Sequence, residues 1–263
     1  MIIDPSVSTL SLNNNAIHVW LIEPGKVTNN ELLNKLKRLL SDNEIEKVQR
    51  YRLPKAQHSA LITRVFVRLV LSQYTNIAPQ KWVFNIGSQG KPAISTPPLP
   101  LSFNLSHNDD MIICAVCLDK KIGCDIESLS RKISIKAIAQ RYFSKIEFET
   151  LMALPPASQR RRFFEYWTLK EAFVKATGLG ISQGLESFNF TIGEAKKHQL
   201  NDNIQINFSQ SCNEQDHQQW YNCLLYPDQK HCVALSVKIN NVSTQKQNVN
   251  VQLLDGLPLF GQF

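Results

Sequence analysis

No run of about 18 apolar residues occurs in the 263-residue chain, so the sequence offers no membrane-spanning helix. The opening MIIDPSVSTLSLNNN lacks a basic start followed by an apolar stretch; residues 1–15 read as a polar leader, not a signal peptide. Cysteine pairs suited to metal or redox work are also missing. Cys114 and Cys117 form a single C-x-x-C inside an apolar run, and Cys124, Cys212, Cys223 and Cys232 are scattered. These read as core thiols of a protein in a reducing cytoplasm. No nucleic-acid motif and no internal repeat appear, and the basic residues are dispersed. A formal charge of +7 and a pI near 9.1 therefore point to anionic partners other than nucleic acid. With 43% hydrophobic and 19% charged residues, the chain can bury a large core in one or two domains.

What the sequence does contain is concentrated in two segments, IGCDIE at 122–127 and FFEYWTLKEAFVKATGLG at 163–180. Residues 111–118, MIICAVCL, read as a buried strand, Asp119, Lys120 and Lys121 as a charged turn, and 122–127 as a second strand, which predicts a hairpin. Two-residue periodicity places Asp125 and Glu127 on one face and Cys124 and Ile126 on the other. Neighbouring like charges are unfavourable without a counter-charge. Residues 160–177 contain no glycine or proline and read as a helix stopped by Gly178 and Gly180. Trp167, Glu171 and Lys175 then share a face, and taken alone Glu171 and Lys175 read as an ordinary surface ion pair. Together, Asp125, Glu127, Glu171, Lys170 and Lys175 make a set that can hold a hard cation and the phosphates it neutralises.

Further motifs stand around these two: Gly90-Lys91-Pro92, Phe103-Asn104-Leu105-Ser106-His107, and Arg141-Tyr142-Phe143-Ser144 followed by Glu147. Read singly, the first is a turn signal, Ser106-His107 a helix or turn cap, and Glu147 a solvent-facing helical residue. In this order and spacing the chain resembles a 4′-phosphopantetheinyl transferase of the larger, surfactin-synthetase-activating type, over roughly residues 45–190. The resemblance implies that coenzyme A is the donor, that a serine of a carrier domain attacks its β-phosphate, and that 3′,5′-ADP leaves. It implies Mg²⁺ held by Asp125, Glu127 and Glu171. Glu171, Lys175 and Glu127 would be catalytic, with Lys175 on the pyrophosphate and Glu147 a secondary candidate for the general base. Ser106 and His107 would bind phosphate oxygens, His107 near the 3′-phosphate. Lys91, with Gly90 and Pro92, would hold the adenosine end. Lys47 and Arg50 would reach the 3′-phosphate, while Arg64 and Arg68 read equally well as helix surface. The implied partner is an acidic carrier protein or carrier domain of a fatty acid, polyketide or nonribosomal peptide synthase, met by a cytoplasmic monomer.

The coarse element pattern is a strand at 16–22, helices at 29–52 and 56–75, a strand at 81–86 and a Gly/Pro-rich stretch from 87 to 100. Helices at 132–153 and 158–177 follow, then strands near 187–192, 203–208, 218–226 and 231–238. The resemblance implies an α+β fold of two similar α+β halves in pseudo-twofold arrangement, with coenzyme A in the cleft between them. The expected division is 1–119, 120–240 and a C-terminal extension at 241–263, with 240–250 a linker or surface loop. Two other functions would suit the same carboxylates: a Mg²⁺-dependent nucleotide pyrophosphate hydrolase, or a carrier-binding module without catalysis.

Overall fold

Alternating and helical apolar periodicities build two α+β units, each around its own four-stranded sheet. The computed structural model describes residues 10–87, 90–96, 99–180, 184–195, 199–239 and 249–263. One unit takes the chain up to residue 86, residues 92–119 and 250–263; the other takes 87–91 and 120–249. Much of the polar leader (1–9), most of the 240–250 segment (240–248) and parts of the Gly/Pro-rich stretch (88–89 and 97–98) lie outside the described residues.

The first unit opens with β1 (Ala16–Ile22), buried along its whole length. The helix expected at 29–52 is two helices, α1 (Asn30–Lys37) and α2 (Asp42–Gln49). Ser41 starts the second by a capping box: its hydroxyl accepts from the Glu44 amide, and the Glu44 carboxylate accepts from the Ser41 amide. α3 (Pro54–Ser72) begins with proline in its first turn, where the missing N–H costs nothing, and buries Ile62, Val65, Phe66, Leu69 and Val70. β2 (Phe84–Ile86) and β3 (Pro92–Ile94) form a small ribbon. β4 (Leu101–His107) and β5 (Ile112–Leu118) follow, and β5 lies between β1 and β4, antiparallel to both.

The second unit contains β6 (Ile122–Ser128), α4 (Ile135–Tyr142), α5 (Lys145–Ala153), α6 (Pro156–Thr177), β7 (Phe188–Ile192), β8 (Leu200–Asn201), β9 (Ile204–Phe208), β10 (Trp220–Leu225) and β11 (His231–Lys238). Its sheet runs β6-β11-β10-β8, with every neighbouring pair antiparallel. The hairpin expected between 111–118 and 122–127 does not form. Both edges of β5 are already paired, and β6 pairs with β11 in the other unit's sheet. α6 stops at Gly178, whose φ of 73° is the left-handed C-cap that glycine adopts without a Cβ penalty. Phe173 anchors the core here, its ring 4.6 Å from Phe188 and 4.7 Å from Trp220 between centroids.

β12 (Asn250–Asp255) returns to the first unit and runs parallel to β1, with Ala16 opposite Asn250. Beyond it Leu259 and Phe260 are buried in the first unit's core. The segment expected as a C-terminal extension thus begins outside the described residues and ends as part of that unit's sheet and core. All six cysteines are buried, and no helix among the described residues is long and apolar enough to cross a membrane.

Candidate functional site

The site on the second unit is set by one glycine. A Cβ on Gly123 would lie 1.9 Å from the Ala172 carbonyl oxygen and 2.4 Å from the Ala176 amide nitrogen. Only a residue without a side chain lets the backbone of α6 rest directly on β6. Period two then turns Asp125 and Glu127 to the same face as Gly123, toward the helix that carries Glu171 and Lys175. Both strand carboxylates are buried, and Glu171 and Lys175 are half-buried.

Two cations stand on these carboxylates. The Lys175 ammonium is 2.6 Å from Asp125 Oδ1, and Arg131 Nη1 is 2.7 Å from Glu127 Oε1. The ion pair expected between Glu171 and Lys175 is thus replaced, as the closest charge contact of Lys175, by one that ties helix to strand. Burial, and then the charge of Asp125, pushes the Glu127 carboxyl above the usual range; Arg131 and a hydrogen bond from Trp167 work against the shift. Glu171 is likewise raised by burial and by Asp125, with Lys175 opposing. Burial disfavours the Lys175 ammonium, but Asp125 beside it carries its pKa above the ordinary value. The three acids therefore feel one another electrostatically. Their chemistry, hard oxygen donors under mutual repulsion, suits a hard divalent cation. As the side chains stand, no group of three or more His, Cys, Asp or Glu among the described residues closes into a ready-made ligand cage.

Glu147 and Lys170 turn out differently from their expected places. Glu147 is 1% exposed, not solvent-facing, and its oxygens are committed. Oε2 accepts from the Ser144 amide at 3.1 Å and hydroxyl at 2.9 Å, Oε1 from the Phe190 amide at 3.0 Å, and Lys170 Nζ lies 2.8 Å from Oε2. Lys170 is 0% exposed, donates to the carbonyls of Leu185 and Phe188 at 2.7 Å each, and lies over the Phe188 ring. Burial pushes its pKa down while Glu147 pulls it up. The pair is an internal joint between α5, α6 and β7. Lys170 and Glu147 are thus engaged with each other and with backbone groups, away from solvent.

Lys91 donates to the carbonyls of Ile122 at 2.9 Å and Lys175 at 2.7 Å, so its ammonium sits at the C-terminal end of α6, where a cation is favoured. Gly90 has a φ of 79° while a Cβ there would meet nothing within 4 Å. That positive φ is a backbone conformation that glycine adopts without strain. Pro92 begins β3 opposite Ile86. On the first unit, Ser106 and His107 end β4, so they belong to a strand and do not cap a helix; Ser106 is buried and His107 exposed. His107 lines a depression of about 320 Å³ with Tyr51, Lys55, Ser59 and Arg64. Lys47 and Arg50 are exposed on and just after α2. Arg68 is buried, not helix surface: it pairs with Glu44 at 2.5 Å and donates to the Trp82 carbonyl at 2.7 Å.

Arg131 and Arg160 were not legible as site residues. Glu127 and Arg131 are four apart, a spacing that signals a pair on a helix; here they flank a turn, where the helical rule gives no warning. Arg160, at the start of α6, donates to the carbonyls of Leu129 and Arg131 and fastens that turn.

Two family profiles match the chain. One, described as 4′-phosphopantetheinyl transferase superfamily, covers residues 121–236, and one described as 4′-phosphopantetheinyl transferase, N-terminal, covers 27–119. The 4′-phosphopantetheinyl transferase HetI of Nostoc sp. is 33% identical over 181 residues, 68% of this chain and 76% of that protein. The 4′-phosphopantetheinyl transferase psf-1 of Bacillus pumilus is 34% identical over 162 residues, 62% of this chain and 68% of that one. Among solved structures, the holo-[acyl-carrier-protein] synthase of Thermotoga maritima aligns over 46% of this chain and 64% of its own at 20% identity, with a TM-score of 0.35. With both stretches of the chain matched and the ordered motifs carried on β4, β6 and α6, the chain belongs to the 4′-phosphopantetheinyl transferase family.

Proposed function

We propose that this transferase moves the 4′-phosphopantetheine arm of coenzyme A to a carrier-protein serine at a centre made by Asp125, Glu127, Glu171 and Lys175. The observation that carries the assignment is the Gly123 contact, which seats α6 on β6 and gathers these four side chains on one face. The serine oxygen bonds to the β-phosphorus of coenzyme A, the bond from that phosphorus to the bridging oxygen of 3′,5′-ADP breaks, and the serine proton passes to a carboxylate of the cluster, Glu127 or Glu171. Such displacements depend chiefly on positioning and charge neutralisation. Asp125, Glu127 and Glu171 are the side chains that would hold Mg²⁺, which when bound supplies positive charge to the pyrophosphate. Lys175 adds a cation to the same place, its ammonium paired with Asp125.

Ser106 and His107 are assigned to phosphate oxygens of the donor, with Lys47 and Arg50 contributing charge at the 3′-phosphate. His107 lies around one depression with Lys55, Arg64 and Asp109, where the basic side chains outnumber the single carboxylate. Lys91, with Gly90 and Pro92, is assigned to the adenosine end of the donor. The basic chain, pI near 9.1, complements an acidic carrier protein or carrier domain of a fatty acid, polyketide or nonribosomal peptide synthase. The deciding experiment is to incubate the protein with coenzyme A, Mg²⁺ and an apo carrier and weigh the carrier. A gain of the phosphopantetheine mass supports transfer. Coenzyme A breakdown with an unlabelled carrier would mean a hydrolase, and carrier binding without either change a binding module.

A further inference from the structure

The turn after β6 has a backbone held by hydrogen bonds and a charged side chain largely in solvent. Leu129 donates its amide to the Lys230 carbonyl at 2.8 Å, and the Arg131 amide donates to Ser128 at 3.0 Å. The Arg160 guanidinium grips the carbonyls of Leu129 and Arg131 from the helix side. The Arg131 side chain, by contrast, is 55% exposed while it reaches Glu127 Oε1, and the Glu127 side chain is 12% exposed. A long exposed side chain changes rotamer without disturbing such a turn, and an ion pair half in water is weak. Glu127 is thus neutralised by a group that can leave it, in a cluster where Asp125 repels it.

We infer that Arg131 is an internal counter-ion of Glu127 that a divalent cation must displace, so that this arginine sets the metal concentration at which the carboxylate cluster fills. The inference rests on the assignment of Asp125, Glu127 and Glu171 as metal ligands. Before metal arrives, the guanidinium covers one of the oxygens a cation would use and adds a like charge beside it. Once it swings into solvent, Glu127 is returned to the cluster with its backbone unmoved. Two functions are separated by design: Arg160 holds the turn, and Arg131 holds the charge.

The test is direct metal binding, without coenzyme A or carrier. Mn²⁺ binding to the full chain is measured by electron paramagnetic resonance, and Mg²⁺ by competition against it. Arg131→Gln should tighten binding by about threefold, the scale of a half-exposed ion pair. Arg131→Lys, which keeps the charge, should stay near wild type. The gap between Arg131→Gln and wild type should shrink as salt rises, because an exposed pair is screened. Unchanged or weaker binding by Arg131→Gln, while Asp125→Ala weakens it, overturns the counter-ion role and leaves the ligand assignment standing. Metal binding that is absent in wild type, or untouched by Asp125→Ala, overturns the ligand assignment and this inference with it.

Discussion

Replacing Gly123 by alanine adds one methyl group and tests the whole construction of the site. The added Cβ would meet the Ala172 oxygen at 1.9 Å and the Ala176 nitrogen at 2.4 Å, where ordinary contact begins at 3.4 Å. Both are backbone atoms of a 22-residue helix, so neither can rotate away. The strand and α6 must part by more than an ångström, and Glu171 and Lys175 move with the helix while Asp125 and Glu127 stay on the strand. Overpacking of this kind costs about 1–3 kcal/mol, which in a chain of this size lowers Tm by roughly 5 °C. The catalytic loss should be larger than the stability loss, since a misplacement of about 1 Å costs on the order of 10²-fold in rate. The assay is carrier labelling by mass spectrometry at saturating coenzyme A, with Tm from calorimetry on the same preparation. An alanine variant with the wild-type Tm and kcat would refute the close contact and the argument built on it.

Lys170→Met should leave the Glu147 carboxylate buried without its partner and cost about 3–5 kcal/mol; Glu147→Gln combined with it should recover part of the lost Tm, and a pair of independent, additive losses would speak against the joint. His107→Ala should narrow the preference for coenzyme A over its 3′-dephospho analogue, read as the ratio of kcat/KM values; the same ratio in both proteins from about pH 6 to 8 would remove His107 from the 3′-phosphate. On the first unit, Trp20 donates to the Tyr74 oxygen at 2.7 Å, and His18 Nδ1 shares a hydrogen bond of 2.8 Å with the same hydroxyl. Burial lowers the His18 pKa from 6.5, so its contribution is fully present above that value and is lost as pH falls toward the folded-state pKa. Tm should therefore decline with acidity more steeply in wild type than in His18→Asn, and parallel curves would show that His18 is not the group titrating.

The parts of the fold that the sequence made legible are those governed by local rules. β6 alternates, and α6 runs unbroken to a glycine with the left-handed φ. Capping-box spacings at Ser41–Glu44 and Ser144–Glu147 could have divided the helices expected at 29–52 and 132–153, each of which is two helices. What local rules could not supply were choices between distant partners. Nothing in MIICAVCL says that β1 and β4 occupy both its edges, so the nearest strand looked like its mate. Glu147 looked exposed because its burying partners, Lys170 and Phe190, are distant in sequence. The carboxylates and Lys175 stood out by their motif, whereas Arg68 meets an acid two dozen residues away and Arg131 reaches Glu127 around a turn, where the helical spacing rule gives no warning.

The parallel pairing of β12 with β1 has a consequence for synthesis. The first unit's sheet needs a strand made near the start of the chain and another made after the whole of the second unit. On the ribosome, β1, β4 and β5 emerge with one side of β1 still unpaired, and that side stays open for the time taken to translate more than a hundred residues. The second unit, contiguous apart from a few residues near Lys91, has its last strand made at Lys238, a short stretch before β12 begins at Asn250. Order of birth and order of completion are therefore reversed: the unit begun first is the unit finished last, and its final strand arrives only when Asn250–Asp255 has been made.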